Sequence, residues 1–214
     1  MNIQTITYEE YLKEIPTEGR HILAQQTGEQ ILVYQAYNNA IADFAVKNQY
    51  FGGNSFSYLR MSWIKPNFLW MMYRCGWAVK ANQERVLGIW IDKKDFEFIL
   101  NQSAFTSYKE DIYGNRGNWK QALSKNPVRL QWDPDHDIYG NKQERKAIQL
   151  GLKGNILKQF GTEMIKEIID LTAFVKEQKQ KIDDKKVDDL LVPQEQIFQI
   201  KSKELNEQIG LKHI

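Results

Sequence analysis

The chain has 214 residues, 42% of them hydrophobic and 12% aromatic, which suffices for one domain with a real core. A net charge of +2 excludes the global polybasic field of a dedicated nucleic-acid binder, and one cysteine excludes an intramolecular disulfide or a cysteine-based metal cluster. Met1-Asn2-Ile3-Gln4-Thr5 has no basic start followed by an apolar run, and no stretch reads as membrane-spanning. The expectation is a soluble cytoplasmic protein with no membrane partner.

Residues 1–19 read as a short arm. Thr7 and Glu10 have capping-box spacing and open a helical turn from Tyr8 to Ile15, ended by Pro16 and Gly19. Ile31 to Tyr37 is β-branched and aromatic and reads as a buried strand. Asn38 or Asn39 caps a helix running from Ala40 to about Asn48. After the Gly52-Gly53-Asn54-Ser55 loop, Leu59 to Ile64 reads as a strand.

The stretch from Tyr58 to Trp77 is the densest part of the sequence. It holds three of the six Trp, three of the five Met and the one Cys, with Arg60, Lys65 and Arg74 set among them. Pro66 suits the first position of a helix and Gly76 its end. The helix between is apolar nearly all round and is expected to be buried. Cations in such a setting are costly unless they meet an anion or a ligand.

Gln83 to Asp92 is the next strand, apolar enough to be covered on both faces. Asp95 to Asn101 is a short helix, Ser103 to Asn118 a loop or lid, and Val128 to Trp132 a strand closed by a turn at Asp133-Pro134-Asp135. Glu144 to Leu152 reads as a last strand. Ile31–Tyr37, Glu84–Asp92 and Lys146–Leu152 are expected in one sheet with the Pro66–Cys75 helix packed on it. From Gly154 to Lys176, the apolar residues Leu157, Phe160, Met164, Ile168, Leu171 and Val175 recur at helical steps and predict the longest helix. A single domain over residues 1–180 would be followed by a charged linker and a weakly amphipathic helix over 181–214, packed on the body or on a second copy. The order of elements favours an α+β fold with a mixed or antiparallel sheet, a buried central helix and a long C-terminal helix.

Standard catalytic signatures are missing: there is no glycine-rich phosphate loop, nucleophile elbow or H-E-x-x-H pair, and the three His are scattered at 21, 136 and 213. No metal site is expected. Asp133, Asp135, His136 and Asp137 read as a turn with side-chain capping, and Cys75 as a small buried residue. What remains is polar residues inside apolar elements: Tyr34, Gln35 and Tyr37; Arg60, Ser62, Trp63 and Lys65; Trp70, Tyr73 and Arg74; Glu84 and Arg85; Arg129, Gln131 and Gln149. One reading pairs Glu84 with Arg74 or Arg60 inside a core. The other is a cleft where cations meet phosphates and Trp or Tyr stacks on a ring, as a nucleotide site requires.

Arg60-Met61-Ser62-Trp63-Ile64-Lys65-Pro66 followed by Phe68-Leu69-Trp70-Met71-Met72-Tyr73-Arg74 resembles the central signature of the family called domain of unknown function 4291. Val33–Tyr37, Gln83–Leu87, Val128–Pro134 and Ile148–Leu152 resemble further blocks of it, in order. That family name carries no activity. The layout also resembles, in outline, the ADP-ribosyltransferase fold, with Tyr34-Gln35-Ala36-Tyr37 at the first motif, Arg60-Met61-Ser62-Trp63 at the second and Gln149 at the third. The first motif lacks the usual Arg or His, and Gln149 stands where transferases commonly use Glu; phosphotransferases acting on RNA 2′-phosphate work without that Glu. The resemblance implies a nucleotide-binding transferase using NAD or a related nucleotide, with nucleic acid or protein as acceptor. Tyr34, Gln35, Tyr37, Arg60, Ser62, Trp63, Lys65 and Arg74 would hold the nucleotide, and Gln149 and Glu84 would serve catalysis. The alternative is a module that binds nucleotide or nucleic acid without chemistry.

Overall fold

The computed structural model describes residues 3–211, and the chain folds as α+β. Two four-stranded sheets carry it. The first runs Ile165–Asp170, Arg85–Asp92, Gln30–Tyr37, Gln26–Thr27, antiparallel throughout. The second runs Ser62–Ile64, Lys142–Leu152, Val128–His136, Ser103–Phe105, and only its last pair is parallel. The sheets touch through one antiparallel bridge: Tyr34 N–H donates to Lys65 C=O at 2.7 Å, and Lys65 N–H donates back at 3.2 Å.

The expected helix starts are present where side chains cap them. Thr7 and Glu10 form a complete capping box on Tyr8–Glu14, and Asn38 caps Asn39–Asn48. The central helix is Phe68–Cys75, with six of its eight residues buried and Gly76 left-handed at φ 61°. Pro66 lies just before it rather than inside it, because Asn67 takes the cap by accepting from Trp70 N–H.

Three expectations are overturned. Lys146–Leu152 lies in the second sheet, not with Ile31–Tyr37 and Arg85–Asp92. An apolar run reports burial and says nothing of which edge it pairs with. Its partner is Val128–His136, joined to it through the turn at Tyr139-Gly140, and that strand continues through Asp133-Pro134-Asp135 with a bulge where a turn was expected. The long helix over Gly154–Lys176 is three pieces: Asn155–Gln159 with a π-turn to Met164, the strand Ile165–Asp170, and the helix Thr172–Asp183. All six stripe residues are buried. Ile165, Ile168 and Ile169 are β-branched, however, and cover the open edge of Arg85–Asp92.

Ser103–Asn118 is less of a loop than its polarity suggests. It contributes the edge strand Ser103–Phe105 and the turn of helix Glu110–Tyr113. The end of the chain returns to the body. Leu191–Pro193 pairs with Thr5–Thr7, Gln196–Ile197 pairs with Leu23–Ala24, and the helix Lys203–Gln208 buries Leu205 beside Ile209. The tail helix expected up to Ile214 covers only those six residues; residues 212–214, like Met1 and Asn2 of the leading segment, lie outside the described ones.

The return fixes the start of the central helix. Glu195, 1% exposed, accepts from Phe68 N–H at 2.6 Å, Tyr11 Oη at 3.0 Å and Asn67 Nδ2 at 3.0 Å. Close by, Arg145 Nε donates to Asp135 at 2.6 Å, with both side chains at 5% exposure or less.

Candidate functional site

Past the Tyr34–Lys65 bridge the two sheets diverge, and a cleft of about 760 Å³ opens between Gln35–Tyr37 and Ser62–Trp63. Strand alternation decides which side chains reach it. Gln35 and Tyr37 share the cleft face. Tyr34 points the other way, fully buried, with its ring edge-on to Phe68 at 5.6 Å. Tyr34 therefore belongs to the core and shapes the site only through its backbone bridge.

Arg60, Lys65 and Arg74 all line the cleft. No Asp or Glu is among its lining residues, and none of the three cations has an ion pair among the described residues. Arg60 and Arg74 are exposed, whereas Lys65 is 4% exposed. Burial, reinforced by the Arg74 charge, pulls the Lys65 ammonium down to about 7. The core pairing of Glu84 with Arg74 or Arg60 is not formed. Glu84 sits outside the cleft lining, with Oε1 accepting from Asn82 N–H at 2.8 Å.

Neutral polar groups fill the rest of the wall. Gln35 Nε2 donates to Ser62 Oγ at 2.8 Å and to Trp63 C=O at 3.3 Å, and its Oε1 is buried without a partner. Tyr37 Oη and Ser62 Oγ share a short hydrogen bond. Burial raises the Tyr37 phenol above its ordinary value, so it stays protonated. Trp63 can lie across the second sheet because residue 151 is glycine: a Cβ there would meet the Trp63 ring at 3.0 Å and Met61 Sδ at 2.7 Å.

Gln149 lines the far wall from the second sheet. Its Nε2 donates to Gln131 Oε1 at 3.1 Å and Asp133 Oδ2 at 2.7 Å, so its amide is oriented and its carbonyl oxygen is left over. The cleft thus gathers Gln35, Tyr37, Arg60, Ser62, Trp63, Lys65, Arg74 and Gln149, and leaves out Tyr34 and Glu84.

Sequence reasoning missed Asn38, Phe56 and Gln83, which also line the cleft, and the tie from Gln149 to Asp133. The signal for Asp133 was the alternation Arg129, Gln131, Asp133 along one strand face, which Pro134 obscured. The four residues of the Asp133–Asp137 run have separate tasks. Asp135 pairs with Arg145, His136 stacks on Tyr73 at 3.5 Å, and Asp137 holds the turn through Tyr139 and Asn141 N–H. Among the described residues no group of three or more His, Cys, Asp or Glu is placed to hold a metal ion. Cys75 is fully buried, and burial pushes its thiol up.

Chemically, three unpaired cations with oriented amides and aromatic faces suit a ligand that carries phosphates and a ring. The family model described as Domain of unknown function (DUF4291) matches residues 21–198. A search of curated proteins finds no match.

Proposed function

The chain belongs to the DUF4291 family, whose description names no activity, and from the chemistry of the cleft we propose that it binds NAD or a related phosphorylated nucleotide as an ADP-ribosyltransferase-like transferase. The observation that carries this reading is a cleft lined by Arg60, Lys65 and Arg74 without one carboxylate. A buried lysine with no counter-ion is costly in an empty protein, and a phosphate would offset that cost. Gln35 Oε1, buried and unpartnered in the same wall, fits a donor such as a ribose hydroxyl or a carboxamide N–H.

In this reading Lys65, Arg60 and Arg74 neutralise the phosphates, Trp63 and Tyr37 offer ring faces, and Gln35 and Ser62 set the orientation. Gln149 would present its carbonyl oxygen, polarised through the Asp133 hydrogen bond, toward positive charge developing on the sugar, a mainly electrostatic task. The acceptor is nucleic acid or protein. A second reading, transfer of phosphate rather than ADP-ribose, is favoured by one observation: the cleft wall carries Gln149 and no Glu.

Thermal-shift titration tests the proposal. At 100 times its dissociation constant a ligand adds about 2.7 kcal/mol. NAD and ADP-ribose should raise the melting temperature, and Lys65→Met should cut the response at the same ligand concentration to about half or less. A response to single-stranded RNA or DNA alone, with steep salt dependence, would replace the transferase with a binding module.

A further inference from the structure

We propose that a second, smaller cavity beside the cleft is the acceptor site of this transfer, with Asp133 as its general base and a preference for hydroxyls that neighbour an anionic group. The proposal rests on the reading of the main cleft as an NAD site. The cavity measures about 160 Å³ and is lined by Arg20, Phe105, Lys109, Gln131, Trp132 and Asp133, among others. Gln131 lines both cavities, so the two adjoin at this residue. Asp133 is the one carboxylate lining either, and its hydrogen bond to Gln149 crosses that wall at 2.7 Å.

The opening has a structural cause. The strand Val128–His136 has its parallel neighbour only as far as Phe105, and after the bond from Thr106 N–H to Leu130 C=O at 3.1 Å that edge is uncovered beside Gln131–Asp133. Water occupies about 30 Å³ in the liquid, so the space suits a small group and not a second nucleotide. Arg20 spends one nitrogen on Gly210 C=O at 2.7 Å and keeps its other donors, while Lys109 has no ion pair among the described residues. Two cations beside one carboxylate select an acceptor that carries its own negative charge, since a neutral alcohol leaves them unmatched.

The step balances. The acceptor oxygen forms a bond to C1 of the ribose as the C1–N bond to nicotinamide breaks, and the bonding pair leaves with the nicotinamide nitrogen. The acceptor proton passes to the Asp133 carboxylate.

Glycolate and ethanol serve as probes, the first a hydroxyl beside a carboxylate and the second a bare hydroxyl. In wild-type turnover of NAD, the glycolate adduct should exceed the ethanol adduct by about tenfold at equal concentration, as expected for one well-matched charge. Lys109→Ala should bring that ratio close to one while NAD affinity stays within about twofold. Asp133→Asn should slow nicotinamide release to glycolate by about a hundredfold. Without any nucleotide, saturation-transfer NMR should detect glycolate on the wild type and lose it in Lys109→Ala. Equal capture of the two probes, full activity of Asp133→Asn, or no glycolate signal on the wild type would each overturn the acceptor site while NAD binding still stood. Failure of the wild type to bind NAD would overturn the reading of the cleft and this proposal with it.

Discussion

Lys65 and Asn67 are two residues apart, and the surroundings of each are opposite in kind. Around Asn67 the buried carboxylates are met by donors. Glu195 receives three donors, and Arg145 meets Asp135 with both side chains nearly sealed. At Lys65 the ammonium is as deeply buried, yet it faces a cleft lined by two more cations and no carboxylate, and the Asp133 charge offsets its burial only in small part. Burying a charge is costly in both places. Where the chain supplies the counter-group, the charge specifies the fold; at Lys65 no counter-ion is in contact, which is the basis of the proposed phosphate site. The Asn67 cluster ties the returning C-terminal segment to the start of the central helix, and so holds the scaffold on which the Lys65 cleft is built.

Substitutions separate the two regions. The largest effect belongs to the paired side. Asp135→Ala strands Arg145 in the interior and should cost about 3–5 kcal/mol of unfolding free energy in urea titrations. A loss below about 1 kcal/mol would mean that the pair is solvated and the contrast is false. Lys65→Met should act in the opposite direction on stability, raising the melting temperature at pH 6 while weakening NAD binding by about tenfold or more, as the loss of one charge-assisted hydrogen bond predicts. A fall in the melting temperature of this variant would assign Lys65 to the fold. Smaller still is Arg60→Ala: the side chain is exposed and unpaired, so stability should change by no more than about 0.5 kcal/mol, with a several-fold loss of NAD affinity that shrinks as salt is added.

The two regions also respond to pH with opposite signs. Lys65 has its ordinary value of 10.5 lowered to about 7 by burial, so between those values the unfolded chain holds the extra proton and stability rises with pH. Glu195 is raised from 4.5 to about 8, again by burial, and there the folded chain holds the proton, so stability falls with pH from 4.5 to about 8. Unfolding titrations of wild type against Lys65→Met should lose the rise above pH 7 and keep the fall below it. An unchanged profile would place the Lys65 ammonium in solvent.

The same contrast explains what the sequence could reveal. The central stretch was legible because charge set in an apolar run is a local signal, and so were helix starts written in capping side chains, as with the Thr7–Glu10 box and Asn38, which accepts from Ile41 N–H. Cleft membership of Gln35 and Tyr37, against Tyr34, follows from alternation once the strand is placed. The partner of Glu195 was not legible, because Tyr11 and Phe68 lie 184 and 127 residues away in the chain. The division into two sheets was hidden for the same reason, since edge pairing is a long-range choice. The stripe from Leu157 to Val175 misled because its spacing satisfies a helix while the strand Ile165–Asp170 buries the same residues. Asp133 was read through Pro134 as a turn, when Pro134 is accommodated at the bulge.

The most direct test is calorimetric titration of NAD at pH 8 in buffers of different ionisation enthalpy. With Lys65 near 7 in the empty protein, about 0.9 proton should be taken up per NAD bound by the wild type, and none by Lys65→Met. NAD binding without proton uptake, or no NAD binding at all, would contradict the claim that the buried lysine awaits a phosphate.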